Sequence, residues 1–424
     1  MDDSKYGGTY DLGLPTKNYT KDTFKQIVVR KFGGSNVLKV SKNKPLLPPK
    51  KNEVRVQVLA TNVKKEDIMA RQGNVPSAVQ KSLLPCVLGC DLIGIIDDYG
   101  DNVTNFEYGD KVAVLTTNGS YSEYIHIPTK HLVIIPDDVN PTEGVTLLHS
   151  YMSAYQMLTR CTNLTQGQTI MIHGADDPVG IAMLQLGSLM GLNMYGGVFS
   201  SKHTSLVSKY GGHPIDYEEG KDEISSIMNV MESGTIIIDA FFDVVSEDLM
   251  SKLDDLIVKD ISVFVECVPS NQTTKKNSTS SYCIPCTKSS SKVYYSMNEW
   301  YKSHHDWFES DLKKLLQMLN EGKIKPTIAS TMKLEDVKQA HDLFESQSVL
   351  GDIILVMDDE SLRIGDVNNS TEQDAEEEKA KVLDTTGKTE SQTDHDDNIS
   401  FDESIMENDD NVSFQESVVN TSTK

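Results

Sequence analysis

The residues with the clearest chemical role are the small and turn-forming ones of Gly174–Gly180. They follow a short apolar run at 169–172 and precede a stretch with helical spacing, which predicts the strand–turn–helix start of a nucleotide-binding sheet. Such a turn delivers the backbone N–H groups of a helix N-terminus to a pyrophosphate, and glycine lets the phosphate come close. We therefore predict a dinucleotide site that includes Gly174, Ala175, Asp177, Val179 and Gly180.

The centre of this turn is unexpected for an anion site. Asp176 and Asp177 bring negative charge toward the phosphates, and Pro178 lacks a backbone N–H, although that loss is tolerated at the first position of a helix. A like charge about 5 Å from a phosphate costs on the order of 1 kcal/mol or more. Three alternatives stay open: both carboxylates point to solvent and a dinucleotide binds weakly, an Asp only caps the helix, or a side chain fills the site and the cofactor is lost.

The end of the second apolar run carries groups that suit a 2′-phosphate. NAD-binding proteins place an acid there for the ribose hydroxyls, whereas this chain has Phe199, Ser200, Ser201 and Lys202. Hydroxyls and a cation bind a phosphate by hydrogen bonds and by charge. The alternative is an ordinary polar loop.

Charge and cysteine content limit the class of protein. The chain of 424 residues has a net charge of −23, and residues 360–424 hold 18 Asp and Glu against 5 Lys and Arg, which leaves −10 for the rest. We therefore expect no nucleic-acid partner. Six scattered cysteines favour a reducing compartment, and neither a signal peptide nor an apolar run of about 20 residues is evident. These features predict a cytoplasmic protein, with any association with vesicle or organelle membranes being peripheral.

The elements around these residues predict an α/β chain. Many short strands with regular turns before residue 150, among them the alternating run Glu53–Ala60, indicate a small β-barrel-like domain. The continuous apolar run Thr235–Ala240 is typical of a parallel sheet that is covered on both faces. Helices are predicted at Pro141–Thr159, Glu247–Leu256, Trp307–Asn320 and Glu335–Glu345.

Three segments are low in apolar residues. Their composition predicts a flexible arm at 1–23, a polar insertion at 269–292 and a disordered acidic tail at 359–424.

The order of the motifs resembles the medium-chain dehydrogenase/reductase superfamily, and within it the zinc-independent quinone oxidoreductase branch. That likeness rests on Leu84–Val112, on GSYSEYIHIP at Gly119–Pro128 and on EGKIKPTI at Glu321–Ile328. Within the branch the chain is most similar to the vesicle amine transport protein (synaptic vesicle membrane protein) family. That closer likeness rests on MARQG at Met69–Gly73, SKH at Ser201–His203 and HPIDY at His213–Tyr217.

The resemblance covers roughly Phe24–Met357 and implies a domain arrangement. A GroES-like β-barrel domain, residues 24–150 completed by 307–358, would enclose a Rossmann domain with a doubly wound parallel sheet, residues 151–306. The resemblance also implies NADPH in the cleft between the domains and a homodimer as the assembly.

Individual roles are implied by the same resemblance. Ser201 and Lys202 would hold the 2′-phosphate with Tyr217 nearby, and Ser153 would lie beside the nicotinamide. A lone Ser in a helix is also compatible with no role at all.

The family has an Asn three residues before an Asp at the substrate side of the nicotinamide cleft. Asp67 is present, but the Asn position is Lys64. Lys64 is able to polarise a carbonyl as an electrophile, to pair with Asp67 or to be solvated, and these alternatives stay open.

Zinc is not expected. Catalytic zinc needs three protein ligands, and Gly89-Cys90-Asp91 stands where zinc-dependent relatives have a His-Glu pair after glycine. Cys283 and Cys286 form only half of a zinc site.

Two functions are consistent with the sequence. The first is NADPH-dependent hydride transfer to a quinone or another activated carbonyl, near Lys64 and Asp67. The alternative is a reductase-fold adaptor or scaffold at vesicle or organelle membranes, with a protein or membrane partner and little or no catalysis. The altered turn, Lys64 and the acidic tail favour the alternative, whereas Ser201 and Lys202 favour the enzyme.

Overall fold

The computed structural model describes residues 23–75, 84–217, 223–232, 237–245, 249, 261–267, 284–285 and 291–357. The predicted acidic tail, nearly all of the predicted arm and most of the polar insertion lie outside these residues. So does the helix predicted at Glu247–Leu256, apart from Leu249. Within the described ranges no helix combines the length and the apolar character that a membrane span needs.

The N-terminal half is built from short strands, as predicted. They are β1 Thr23–Val29, β2 Leu38–Pro45, β3 Glu53–Val63, β4 Cys86–Val87, β5 Asp91–Tyr99, β6 Lys111–Leu115, β7 Tyr124–Pro128 and β8 Leu132–Ile134. Strands β2, β1 and β4 form a small sheet in that order. A larger sheet has the order β16-β17-β3-β5-β6-β8, with β7 also paired to β3, and it takes β16 Ile328–Lys333 and β17 Asp352–Val356 from the far end of the chain.

Strand β3 lies at the centre of the larger sheet. Alternation of apolar and polar residues, as in Glu53–Ala60, is typical of a strand with one solvent-facing side, but the structure buries both faces of β3. The polar side chains are paired: the Arg55 guanidinium donates to the Asp97 carboxylate at 2.8 Å, and the Asn62 amide donates to Asp352 at 2.6 Å. Hydrogen bonding of this kind makes the burial of polar groups tolerable.

The second half contains the parallel sheet. Its strands are β9 Thr169–His173, β10 Asn193–Val198, β11 His213–Asp216, β12 Ile238–Asp243, β13 Ile261–Cys267, β14 Ile284–Pro285 and β15 Ser291–Tyr295, in the order β11-β10-β9-β12-β13-β15-β14. Strand β12 starts three residues later than predicted. Because β10 lies on one side of β9 and β12 on the other, a crevice opens at the carboxyl ends of these strands.

Helices cover the sheet and connect the two halves. They are α1 Lys65–Gln72, α2 Pro141–Thr146, α3 Met152–Thr159, α4 Pro178–Leu189, α5 Thr204–Lys209, α6 Glu223–Glu232, α7 Met297–Ser303, α8 His305–Asn320 and α9 Val337–Glu345. The helix predicted at Trp307–Asn320 is confirmed as α8, which buries Leu312 and Leu315.

The helix predicted at Pro141–Thr159 has a different form. Between α2 and α3 the segment Leu147–Tyr151 is a π-helix. Its apolar residues Leu147, Leu148 and Tyr151 are buried, while His149 lies at the edge of the interdomain space. Such single π-turns frequently occur at functional sites.

Candidate functional site: a cleft at the end of the parallel sheet

A cleft lies between the barrel domain and the carboxyl ends of the parallel strands. It encloses about 610 Å³ of atom-free space, part of it open to solvent. The start of α1, the π-helix, the start of α4 and the segment after β12 line it, through Lys64, Glu66, His149, Asp177, Val179 and Val245. A smaller neighbouring pocket, with about 340 Å³ of atom-free space that includes open solvent, shares Glu66 and His149 and reaches Ser153.

Asp177 acts as the N-cap of α4. Its Oδ1 accepts a hydrogen bond from the Val179 N–H at 3.0 Å, and Pro178 takes the first helical position. Loss of water around the carboxyl, with the nearby charges of Asp352 and Asp176, raises its pKa to about 7, against the opposing effects of the Val179 N–H and Lys65. The sequence alternative in which an Asp caps the helix is thus the arrangement found.

Asp176 is tied to the opposite side of the turn. Its Oδ2 accepts from the backbone N–H of Phe199 at 3.0 Å and lies 2.9 Å from His203 Nδ1. With only 8% of its side chain exposed, it does not point to solvent. The alternative of two solvated carboxylates is therefore wrong, because the loop after β10 supplies partners that local sequence does not reveal.

The glycines of the turn meet its geometric demands. Gly174 has a φ of +86°, which other residues rarely adopt, and a Cβ at Gly180 would lie 2.1 Å from the Gly174 carbonyl oxygen. Ala175 is completely buried. Helix α4 therefore packs directly on the turn, as it must in a dinucleotide fold.

The three residues assigned to the 2′-phosphate lie in two environments. Ser201 and Lys202 are exposed in a short 3₁₀ turn after β10. Tyr217 is only 5% exposed, and its hydroxyl is 2.9 Å from His173 Nδ1. Gly197 packs against the ring so closely that a Cβ there would lie 1.9 Å from the Tyr217 hydroxyl. Ser201 and Lys202 are accessible to a ligand, whereas Tyr217 supports the strands beneath them.

Lys64 forms an ion pair with a residue that is distant in sequence, Asp91. Its ammonium lies 2.8 Å from Asp91 Oδ2, and the side chain is 4% exposed. Burial lowers the pKa of Lys64, but Asp91 and the other nearby acids outweigh it, so the pKa lies well above its usual value. Of the earlier alternatives, solvation and a side-chain pair with Asp67 are both wrong, and Lys64 reaches the cleft with its charge already compensated.

Asp67 organises the backbone behind the cleft. Its carboxylate accepts hydrogen bonds from the Gly89 N–H at 2.9 Å, the Lys64 N–H at 3.1 Å and the Tyr121 hydroxyl at 3.1 Å. Burial raises the pKa of Asp67 to about 6, although Lys64 opposes the rise. These contacts hold the start of α1 against the turn at Gly89.

Sequence reasoning missed the pair formed by Glu66 and His149. Glu66 Oε1 lies 3.7 Å from His149 Nε2, and both residues line both cavities. Burial would raise the pKa of Glu66, but the interaction with His149 and the charge of Lys64 overcome it, so the pKa falls to about 2. The only sequence signal was a Glu between the two residues already singled out, Lys64 and Asp67.

The residues present accommodate a dinucleotide at a cost. Asp177 takes one N–H at the start of α4 and Pro178 removes another, so a pyrophosphate must displace the Asp177 carboxyl. A cap of this kind is worth about 1 kcal/mol, much less than the roughly 8 kcal/mol of micromolar binding. With a pKa of about 7 the carboxyl is partly neutral at physiological pH, which lowers the repulsion further.

A metal site is not evident in the described part of the chain. None of its His, Cys, Asp and Glu side chains form a group of three or more that is arranged to hold an ion. Cys283 and Cys286 lie outside the described residues, and the absence of zinc stays a prediction.

Comparisons with known proteins place the chain in context. The family model for the alcohol dehydrogenase GroES-like domain matches residues 50–137, and the model for zinc-binding dehydrogenase matches residues 212–355. Synaptic vesicle membrane protein VAT-1 homolog-like of Mus musculus is 26% identical over 345 residues, which cover 78% of this chain and 80% of that protein. Quinone oxidoreductase of Sus scrofa is 28% identical over 338 residues, which cover 78% and 97%.

Solved structures agree on the fold. Human synaptic vesicle membrane protein VAT-1 homolog-like protein superimposes with a TM-score of 0.63 at 23% identity, covering 80% of this chain and 99% of that one. Escherichia coli quinone oxidoreductase complexed with NADPH gives 0.65 at 20% identity, covering 78% and 99%. The chain thus has the quinone oxidoreductase-like fold of the medium-chain dehydrogenase/reductase superfamily, with a GroES-like domain and a Rossmann-like parallel sheet, and its homologues are quinone oxidoreductases and VAT-1 homologues.

Proposed function

We propose that this chain is a zinc-independent, NADPH-dependent oxidoreductase that reduces a quinone or another activated carbonyl. The observation that carries the proposal is the position of the 610 Å³ cleft, at the point where the connections of the parallel sheet diverge and beneath the barrel domain. The quinone oxidoreductase relatives, one of them with NADPH bound, support the same reading.

The chain's own residues would hold the cofactor at two points. Ser201 and Lys202 are exposed where a 2′-phosphate would accept hydrogen bonds and meet a positive charge. The N–H groups of Val179 and Gly180 at the start of α4 would receive the pyrophosphate once the Asp177 carboxyl moves aside. When bound, NADPH supplies a hydride.

Reduction of a carbonyl also takes up a proton, and we assign its source to the pair of His149 and Glu66. Nε2 of His149 lies 3.7 Å from Glu66 Oε1, and both side chains line the cleft. Glu66 would hold the imidazole ring in place, and the ring would deliver a proton to the carbonyl oxygen. The apolar side chains of Val244 and Val245 would exclude water from the opposite wall.

A second candidate function is a reductase-fold adaptor with little or no catalysis. Two observations favour it: Asp177 occupies the cap that a pyrophosphate would use, and the Lys64 ammonium is committed to Asp91. The relatives named synaptic vesicle membrane protein favour a vesicle or organelle membrane as the location where such an adaptor acts. In both proposals we infer a cytoplasmic homodimer.

Titration of the purified full chain with NADPH, followed by nicotinamide fluorescence, separates the two candidates. The reductase proposal expects saturable binding in the micromolar range. Replacing both Asp177 and Pro178 by Gly should tighten binding, since it removes the carboxyl and restores an N–H donor at the cost of the cap. Absence of binding up to millimolar NADPH in both proteins would rule out the reductase.

A further inference from the structure

One segment of this acidic chain is positively charged. The chain carries a net charge of −23, yet residues 30–51 contain seven basic residues and no acidic one. All seven are exposed. We call this set the basic edge; it consists of Arg30, Lys31, Lys39, Lys42, Lys44, Lys50 and Lys51.

Three residues of the basic edge, Lys39, Lys42 and Lys44, lie on β2 at the border of the small sheet. Strand β2 is hydrogen-bonded to β1 on one side, and no strand of the described ranges pairs with its other side. Within the described residues, Lys50 alone of the seven forms an ion pair, with Glu53 at 3.3 Å. The other six positive charges are therefore not offset by a contact in the described part of the chain.

An exposed leucine accompanies these charges. Leu47 is 56% exposed in the proline-rich loop that follows β2. The loop is held from beneath, because the Leu47 carbonyl oxygen accepts a hydrogen bond from the Arg55 guanidinium at 3.0 Å and lies 3.0 Å from His126 Nε2. Val40 on β2 adds a second aliphatic side chain, 36% exposed. Aliphatic groups beside lysines suit the interface of a bilayer, which has an apolar interior and charged headgroups.

We propose that the basic edge docks this chain on an anionic lipid surface, with Leu47 inserted between the headgroups. A docked edge would lie within a Debye length of about 8 Å of the headgroups, and the acids beneath the Leu47 loop, Asp97 and Asp98, are paired with Arg55. Lysines on an edge strand also prevent strands of different molecules from pairing. That role accounts for Lys39, Lys42 and Lys44 but not for an exposed Leu47 held in place.

Lipid is favoured over nucleic acid by the composition of the surface. Six of the seven residues are Lys, which binds as a point charge, and the segment offers exposed aliphatic side chains instead of exposed aromatic ones for base stacking.

Co-sedimentation of the full chain with vesicles tests the proposal. Wild-type protein should bind phosphatidylcholine vesicles that contain about 30% phosphatidylserine, bind neutral vesicles much less and be released by high salt. Replacing Lys39, Lys42 and Lys44 together by Gln should weaken binding about a hundredfold, since each lysine contributes about fivefold. Leu47→Ser should weaken binding about fivefold and leave the salt dependence unchanged.

The control is a triple Gln variant of Lys313, Lys323 and Lys338, which are exposed elsewhere and give the same change in net charge. It should bind like the wild type. Equal losses in both triple variants, wild-type binding by the edge variant, or equal binding to neutral and anionic vesicles would overturn the proposal. Tighter binding to an RNA oligonucleotide than to the vesicles would also overturn it. If the edge variant fails to fold, Leu47→Ser and the salt dependence decide.

Discussion

Raising the pH should weaken NADPH binding by this chain, and Asp177 is the residue responsible. Its carboxyl occupies the cap of α4, and it has a pKa of about 7 because it is removed from water near two other acids. A pyrophosphate needs the same N–H group of Val179. The neutral carboxyl gives up this N–H readily and does not repel the phosphates. The charged carboxylate holds the N–H more strongly and repels the phosphates.

The size of the pH effect on NADPH affinity follows from the fraction of the Asp177 carboxyl that is neutral. If only the neutral form admits the ligand, the apparent Kd is the intrinsic Kd divided by that fraction. With a pKa of about 7, the apparent Kd should exceed its low-pH limit about twofold at pH 7, about elevenfold at pH 8 and about a hundredfold at pH 9.

Fluorescence titrations of NADPH between pH 6 and 9 measure this dependence. Asp177→Asn keeps a side chain that caps helices equally well but does not titrate, so its affinity should stay level and exceed that of the wild type about tenfold at pH 8. Asp101→Asn, a change at an exposed turn of the barrel, should keep the wild-type dependence of the apparent Kd on pH. If the apparent Kd depends on pH equally in the wild type and in Asp177→Asn, the role of this carboxyl is refuted.

Other predictions concern stability and cofactor choice. Lys64→Met should destabilise the fold by about 3–5 kcal/mol in urea unfolding, because it leaves the Asp91 carboxylate buried without its partner, and a loss below about 1 kcal/mol would contradict the ion pair. Leu312→Ala should cost about 2–5 kcal/mol because Leu312 is fully buried on α8, whereas Lys313→Ala on the exposed face should stay within about 0.5 kcal/mol. Lys202→Ala should weaken NADPH but not NADH, and an equal loss for both would show that Lys202 does not face the 2′-phosphate.

Much of the fold could be predicted because its signals are local. The apolar run before Gly174 and the stripe of leucines in α8 each depend on a single element, and the α/β class with its barrel and parallel sheet is confirmed. The domain boundaries at 150, 306 and 358 stay a prediction. The π-helix at Leu147–Tyr151 could not be predicted, because its residues are compatible with ordinary helical spacing.

The site was less predictable because its contacts join distant segments. Lys64 meets Asp91 only through the pairing of β3 with β5, and Asp176 is held by the loop after β10. Neither partner is visible from residues nearby in sequence. The assigned roles of Ser153, Ser201, Lys202 and the substrate-side residues stay predictions, while the Tyr217 hydroxyl is used within the fold.

A single-turnover experiment tests most directly whether this fold still performs reduction. Full-length protein in excess over NADPH is mixed with a quinone at pH 6.5, and the nicotinamide absorbance is followed. The proposed reductase predicts a decay that needs both protein and quinone and that slows in His149→Gln. Bound NADPH that stays reduced with every quinone and activated carbonyl offered would contradict the reductase and leave the adaptor.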